Sequence, residues 1–170
     1  LWTINEELNY LIILKILSCY YDLSYQRLSW TDAEVTFKEH PAASKNKNDA
    51  RNKGWIHFDQ VATRENATCF ELAGFVYLTP DIDPNAGTSL FMLKPPDKEQ
   101  DSLSLPLFKD LWLDEDLFTK KYKEHEDFFI EKTRFANIYN RMIMYDTNEF
   151  HRANSYYSGK GKDTRLTLVF

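Results

Sequence analysis

Residues 74–91 read GFVYLTPDIDPNAGTSLF, and this stretch decides the fold class. An aromatic and β-branched run, CFELAGFVYLTP, covers residues 69–80 and stops at Pro80, while a second apolar run, TSLFML, covers residues 88–93. Between the two runs lies DIDPNAG, a cluster of residues that favour turns. The pattern therefore predicts two short strands joined by a turn.

Further strands are predicted on both sides of this pair. They are WIHFDQVAT at residues 55–63, ANIYNRMIMYD at residues 136–146 and TRLTLVF at residues 164–170. The polar segment SGKGKD, residues 158–163, is predicted to form the turn between the last two. Short strands separated by turns are typical of a β-sandwich or a jelly roll.

Helices are predicted at the front of the chain and in the middle. Ile4, Leu8, Leu11, Ile12 and Ile16 follow helical spacing, which predicts a buried core helix. The apolar run at residues 8–21 has 14 residues and contains Lys15, so it is too short to span a bilayer. Residues 97–135 are rich in charge, with apolar residues three and four apart, and are predicted to form a helical insertion.

We therefore predict one domain, residues 1–170, that is mainly β with flanking helices. Residues 1–53 are expected to form helical and loop support, with a loop at residues 41–53 (PAASKNKNDARNK). Residues 54–170 are expected to form a jelly-roll core, a cupin-like double-stranded β-helix, interrupted by the insertion at residues 97–135.

The composition limits the classes of binding partner and the cellular compartment that we expect. The net charge of -5 disfavours binding to nucleic acid, which requires a basic surface. This charge fits a cytosolic protein, and the apolar run at residues 8–21 does not have the basic start and small-residue cleavage site of a signal peptide, so we expect a cytoplasmic protein. Only two cysteines occur, Cys19 and Cys69, and both are expected to be buried thiols.

Two of the four histidines lie in strand-like runs. Residues two apart in a strand point to the same face, so His57 and Asp59 are able to aim at one point. A third ligand, His151, would complete a set of two histidines and one carboxylate, which leaves open positions on a metal and is typical of non-haem Fe(II) oxygenases. His40 and His125 lie in polar, charged segments and are expected to be exposed.

A second polar pair lies near the C-terminus of the sequence. Arg165 and Thr167 are also two apart in a predicted strand and therefore share a face. A buried arginine requires an anionic partner, and its planar fork suits a carboxylate. A small dicarboxylic acid, held also by the threonine hydroxyl, would satisfy this pair.

The ordered set of His57, Asp59, His151, Arg165 and Thr167 resembles the 2-oxoglutarate- and Fe(II)-dependent dioxygenases, most closely the prolyl-4-hydroxylase-like branch. The stretch GFVYLTPDIDPNAGTSLF is similar to a strand, acidic turn and Gly-Thr strand of that family, and NRMIMYDTNEFHRA to the strand that carries the distal histidine. The resemblance covers residues 54–170. The sequence departs from the family at Ala86-Gly87, where paired glycines are usual, and in its long insertion.

The resemblance implies a cofactor, a co-substrate and a reaction. His57, Asp59 and His151 would bind Fe(II), and Arg165 and Thr167 would hold the distal carboxylate of 2-oxoglutarate. With O2, the enzyme would hydroxylate an amino-acid residue, a peptide or a small metabolite and release succinate and CO2.

Two tyrosines and two other functions stay open at this point. Tyr77 and Tyr145 either face the co-substrate or serve as buried core residues. The alternative functions are a catalytically inactive jelly roll that binds a carboxylate, and a cupin-like metalloenzyme of other chemistry.

Overall fold

Two antiparallel sheets and two helices form the described part of the chain in a computed structural model, namely residues 2–3, 5–19, 21–22, 35–59, 72–95, 114–157 and 164–170. In chain order the elements are β1 (Trp2–Thr3), α1 (Glu6–Leu17), β2 (Thr36–Pro41), a 3-10 helix (Ala50–Asn52), β3 (Leu72–Tyr77), β4 (Thr88–Leu93), α2 (Glu115–Glu126), β5 (Phe129–Phe135), β6 (Met142–Asp146), β7 (Phe150–Ala153) and β8 (Thr164–Val169). The predicted class, mainly β with flanking helices, is confirmed, as are the strands predicted around β3, β4 and β8.

The paired strands lie one pair inside the next along the chain, with β4 and β5 innermost. One sheet has the order β1-β2-β8-β3-β6, and the other has the order β5-β4-β7. Strand β4 pairs with β5, β3 with β6, and β2 with β8. A single bridge between His57 and His151 adds the segment 54–59 beside β7. From β2 to β8 the chain therefore passes back and forth between the two sheets.

The main core lies between the sheets. Strands β3 and β6 supply its buried residues, which are Ala73, Phe75, Tyr77, Ile143 and Tyr145. Leu90 and Phe135 of the three-stranded sheet and Val169 of β8 pack against them. The odd numbers along β3 and β6 reflect the two-residue period of a strand, which turns one face inward.

Helix α2 packs against the 3-10 helix and the residues that follow it. The Asp114 side chain accepts a hydrogen bond from the Leu117 backbone N–H at 2.9 Å and caps the helix. Phe118, Tyr122 and His125, spaced four and three apart, form its buried face. Trp55 packs against this face in the cluster with Phe118 and Tyr122.

Helix α1 is only partly buried. Ile16 is buried, as predicted, and so is Ile13, which the predicted set did not include, whereas Leu8 and Leu11 of that set are 44% and 54% exposed. An apolar spacing shows which side chains could be buried but not whether another element covers them. Within the described part of the chain, no helix combines the length and the apolar character needed to cross a membrane.

The predicted helical insertion is wrong at its end. Residues 129–135 form strand β5, which pairs with β4, and only Glu115–Glu126 is helical among the described residues of that range. The charges that suggested a helix lie on an edge strand, whose exposed positions tolerate them. The rest of the predicted insertion, before residue 114, lies outside the described residues.

Residues 1–53 contain the predicted helix and loop, and they contain strands as well. They contribute β1 and β2 to the larger sheet, and β2 pairs along its whole length with β8. The strand predicted at residues 136–146 is shorter, since only Met142–Asp146 pairs.

Two further predictions concern the segment after residue 54 and the cysteines. Of the strand predicted at residues 55–63, the described residues show one bridge, at His57. Cys19 is exposed rather than buried, because it lies just after the end of α1. Cys69 lies outside the described residues.

Candidate metal centre

His57, Asp59 and His151 come together at the edge of the three-stranded sheet. The backbones of His57 and His151 exchange two N–H···O hydrogen bonds, of 3.1 and 2.7 Å, and so form one hydrogen-bonded antiparallel pair. The Asp59 N–H donates to the Thr147 carbonyl at 3.1 Å. These bonds fix a segment that otherwise has no regular secondary structure.

The three side chains offer their ligand atoms to one point. His57 Nε2 lies 3.9 Å from Asp59 Oδ1, and His151 Nε2 lies 3.7 Å from Asp59 Oδ2. One ligand atom from each residue lies within 4.8 Å of the other two. Ligands at right angles on a metal at ~2.1 Å are ~3 Å apart, so small side-chain rotations would close the set. The triad could therefore hold a metal ion.

Hydrogen bonds on the far side of each ring fix which nitrogen is free. His57 Nδ1 lies 2.8 Å from the Trp55 carbonyl oxygen, and His151 Nδ1 lies 3.0 Å from that of Glu149. A carbonyl oxygen only accepts, so each Nδ1 carries the proton and donates. In a neutral ring each Nε2 then has its lone pair toward Asp59, as a metal ligand requires.

The surroundings of His151 favour a neutral ring. Burial, and next the nearby His57, lower the pKa of His151 below its usual value. A neutral imidazole is the form that binds metal. His151 is buried, whereas about half of the His57 side chain and 41% of the Asp59 side chain are exposed. The triad is thus closed on the His151 side and open on the other.

Phe58 and Tyr145 flank the triad on different sides. The Phe58 ring packs edge-on against Phe150 at 5.3 Å, on the opposite side of its segment from the ligands. Tyr145 is buried, and its ring lies 4.5 Å from that of His151. Burial first, and then Asp59, raise the pKa of Tyr145 well above its usual value, so its hydroxyl keeps its proton at neutral pH.

Arg165 and Thr167 share the inward face of β8. They are 4% and 1% exposed, while Leu166 between them is exposed. The Arg165 guanidinium lies 5.1 Å from the Tyr77 ring centre and donates one long hydrogen bond, 3.4 Å, to the Ala86 carbonyl. Its Nε has no partner, and no carboxylate of the described residues lies within 4 Å of it.

Tyr77 connects the two sheets near Arg165. It is fully buried, lies opposite Thr167 in the strand register and donates a hydrogen bond to Thr88 Oγ1 at 3.0 Å. Phe75 lies between the two tyrosines, 5.0 Å from Tyr77 and 6.2 Å from Tyr145. Tyr145 therefore belongs to the metal end of the interior, and Tyr77 to the end with Arg165.

The prediction that His40 is exposed is wrong. His40 lies opposite Arg165 in the β2–β8 register, with its Nε2 3.3 Å from Thr167 Oγ1 and its ring stacked on Tyr156 at 5.3 Å. Burial first, then the charges of Arg165 and Lys38, lower the pKa of His40 to about 4. Sequence spacing carried no sign of this contact, since it depends on a pairing across the chain.

The prediction for His125 is also wrong. His125 is 6% exposed; its ring packs 4.9 Å from Trp55, and its Nε2 lies 2.9 Å from the Ile56 carbonyl. It thereby supports the backbone just before His57. The spacing of Phe118, Tyr122 and His125 in the sequence is the signal that would have revealed it.

Gly87 explains part of the departure at Ala86-Gly87. A Cβ at residue 87 would lie 1.8 Å from the Phe135 carbonyl oxygen, so only glycine fits where β4 begins beside β5. Ala86 is itself accommodated and buried. One glycine therefore suffices for the close approach.

A cavity of about 230 Å³ lies elsewhere, and none of the three metal-site residues lines it. It borders Arg152, the neighbour of His151, and the segment after β7.

The chain was also compared with known proteins. No family model, curated protein or solved structure matches it.

Proposed function

We propose that the protein is an Fe(II)- and 2-oxoglutarate-dependent oxygenase that hydroxylates an amino-acid residue, a peptide or a small metabolite. The observation that carries this proposal is the convergence of His57, Asp59 and His151, with both imidazole Nε2 lone pairs facing the carboxylate. Two histidines and one carboxylate with open positions are typical of non-haem Fe(II) oxygenases.

The strand pairing supports a jelly roll around this site. The pairs β4–β5, β3–β6, segment 54–59 with β7, and β2–β8 lie one inside the next along the chain. One long hairpin that is rolled up into two sheets gives this order, and a jelly roll consists of eight strands in two such sheets. The metal ligands would then lie at the mouth of the roll, on the segment 54–59 and β7.

The surroundings of Arg165 support a dicarboxylic co-substrate. An uncompensated buried charge is costly, so a ligand carboxylate is the natural partner for this guanidinium. Thr167 and His40 place further polar atoms on the same inner face. The distal carboxylate of 2-oxoglutarate would pair with Arg165, while its other end would reach the triad near Tyr145.

The residues of the site have separate roles in this proposal. His57, Asp59 and His151 would hold Fe(II), which when bound supplies the activation of O2 and the chelation of the co-substrate. Arg165 fixes the orientation of 2-oxoglutarate, and burial removes water from that end. The protonated Tyr145 hydroxyl offers a hydrogen bond near the metal. The substrate would approach from the open side of His57 and Asp59.

The test combines spectroscopy with product analysis. Anaerobic addition of Fe(II) and then 2-oxoglutarate should produce the visible charge-transfer absorption of the chelate, and O2 should then yield succinate. His57→Ala should abolish both signals. Phe58→Leu, which changes the neighbouring side chain that points away from the ligands, should retain both.

Each outcome separates the rival functions. No absorption band in the wild-type protein would refute the proposal. A band without succinate would favour the inactive carboxylate-binding module. A band that survives in both His57→Ala and Arg165→Ala would show that the residues are wrongly assigned. A screen of peptides and metabolites for a mass gain of ~16 Da, one oxygen atom, would then identify the substrate.

A further inference from the structure

Among the described residues, the segment 54–59 has a partner strand, β7, on one side only. The backbone of His57 pairs with His151, and in an extended strand the carbonyl of the preceding residue points away from that partner. The preceding residue, Ile56, is 1% exposed, so water does not readily reach its carbonyl. Within the described part of the chain, no backbone N–H donates to the carbonyl of Gly54 or of Ile56.

Two side chains of α2 take the place of a second partner strand. His125 Nε2 donates to the Ile56 carbonyl at 2.9 Å, and the Tyr122 hydroxyl donates to the Gly54 carbonyl at 3.1 Å. His125 and Tyr122 are both buried. Burial raises the pKa of Tyr122 well above its usual value, so its hydroxyl keeps the proton that it donates. The helix thus satisfies two buried carbonyls of the segment, as buried polar groups require.

The Tyr122 hydroxyl also connects α2 to the strand of the other histidine. Arg152, which follows His151 on β7, donates a hydrogen bond to this hydroxyl. One hydroxyl therefore joins the backbone of Gly54 to β7. As a result, α2 contacts both stretches of chain that carry the histidines of the metal centre.

The orientation of the His57 ring depends on the backbone that α2 supports. About half of the His57 side chain is exposed, and its Nδ1 donates to the Trp55 carbonyl at 2.8 Å. The Trp55 ring packs against α2, with its centre 5.3 Å from that of Tyr122 and 4.9 Å from that of His125. The helix therefore fixes the two residues before His57, and their backbone sets where Nε2 points. Removal of groups that orient a metal ligand typically weakens metal binding about 10–100-fold.

We propose that α2 positions the metal centre, with His125 and Tyr122 as positioning residues that fix the backbone of residues 54–56 and so hold the His57 ring toward the other two ligands. The inference rests on the metal centre of the proposed function, but it requires neither 2-oxoglutarate nor the hydroxylation reaction. The affinity of the centre for a metal ion should therefore depend on a hydrogen bond that α2 donates.

Titration of the full chain with Co(II) tests this positioning role. Co(II) binds the same nitrogen and oxygen ligands as Fe(II), and its visible absorption reports their geometry. Methionine and glutamine are similar in length, but only glutamine retains an N–H close to the position of the imidazole Nε2. We expect His125→Met to weaken Co(II) binding at least about tenfold and His125→Gln to stay within about twofold of the wild type. Tyr122→Phe, which removes only the hydroxyl, should fall between the two.

Asp114→Ala is the matched control, because it removes the hydrogen bond that caps the same helix and leaves Tyr122 and His125 in place. It should lower the urea concentration at the midpoint of unfolding but leave the affinity for Co(II) unchanged. At saturating Co(II), the absorption bands should differ from those of the wild type in His125→Met and should be the same in Asp114→Ala. A loss of helix stability alone would not produce that difference.

The outcomes separate this inference from the proposed function. Absence of Co(II) binding in the wild type would overturn the metal centre and the inference together. If the wild type binds Co(II), equal weakening in His125→Met and Asp114→Ala would overturn the inference alone. Equal affinities of His125→Met and His125→Gln would also overturn it, because the donated hydrogen bond would then have no effect. If His125→Met does not fold, Tyr122→Phe decides, and wild-type affinity in that variant would overturn the positioning role.

Discussion

Two buried arginines, on strands that follow each other along the chain but lie in different sheets, have opposite surroundings. Arg152 on β7 is 7% exposed; it pairs with Glu126, and its guanidinium lies 5.0 Å from the Phe91 ring centre. Arg165 on β8 is 4% exposed and lies over Tyr77, but no described carboxylate pairs with it.

The difference separates a structural charge from one that lacks its partner. A buried ion pair is acceptable when its geometry is good, and removal of one partner is strongly destabilising. Arg152 meets that condition within the chain and helps to fix α2 to the sheet. Arg165 does not, so its stabilising partner would come from outside the chain, as a bound carboxylate.

The largest expected effect follows replacement of Arg165 by methionine. Loss of a buried charge-assisted pair typically costs ~2–5 kcal/mol of binding, so we expect Arg165→Met to weaken the binding of 2-oxoglutarate at least about 30-fold. The free energy of unfolding of the ligand-free protein should stay equal or rise, because an uncompensated charge is removed. Calorimetry with the Fe(II)-loaded protein and urea unfolding without ligand measure the two quantities.

A large loss of stability in ligand-free Arg165→Met would contradict this comparison, since it would make Arg165 a structural residue like Arg152. Unchanged affinity for 2-oxoglutarate would contradict the assignment of the co-substrate site.

The second effect concerns Glu126. Glu126→Ala leaves the Arg152 charge buried without its carboxylate, and we expect the free energy of unfolding to fall by about 2 kcal/mol. This is below the value for fully buried pairs because the Glu126 side chain is 31% exposed. Urea unfolding measures this change in stability, and the affinity for 2-oxoglutarate should stay the same.

Glu149→Ala provides the control for Glu126→Ala. It breaks the 2.7 Å pair with Lys132, whose side chain is 39% exposed where that of Arg152 is 8% exposed, and should cost about 0.5 kcal/mol or less. Equal losses in the two variants would show that burial does not distinguish the Arg152 pair.

The third effect is the pH dependence of stability that His40 imparts. Its folded pKa of about 4 lies below the unfolded value of 6.5, so its contribution to stability is complete above pH 6.5 and is lost as pH falls toward 4. Since His40 is only partly buried, solvent screening reduces this loss to about 1 kcal/mol. His40→Gln should remove that part of the pH dependence in urea unfolding.

Repeating the same measurement with bound 2-oxoglutarate tests whether His40 responds to the charge of Arg165. A carboxylate on Arg165 would offset the charge that disfavours protonation of His40, so the loss between pH 6.5 and 4 should shrink. An identical loss with and without 2-oxoglutarate would show that His40 does not sense the Arg165 site, and an identical pH dependence in wild type and His40→Gln would show that His40 is not its source.

Local patterns in the sequence predicted much of the fold. The alternation in β3, β4 and β8 and the turn after Pro80 are properties of neighbouring residues, and the predicted strands are confirmed there. Strand β5 was predicted wrongly because its charged residues satisfy a helical pattern as well as an exposed edge strand. Only pairing with β4 distinguishes the two.

The sequence predicted only part of the candidate site. The separation of His57 and Asp59 by one residue is local, whereas their approach to His151 depends on a bridge between distant segments. The burial of His40 and His125, and the partner of Arg152, depend likewise on which element covers which. Residue type and spacing do not encode those contacts directly.

The sequence by itself therefore determined the strand-rich class, the shared face of His57 and Asp59, and the shared face of Arg165 and Thr167, because each depends on the two-residue period of a strand. The tertiary structure alone decided that His151 faces Asp59, that Arg152 meets Glu126, and that Arg165 meets no described carboxylate. The physical reason is that charge compensation in a low-dielectric interior depends on distance in space, which the pairing of remote strands sets.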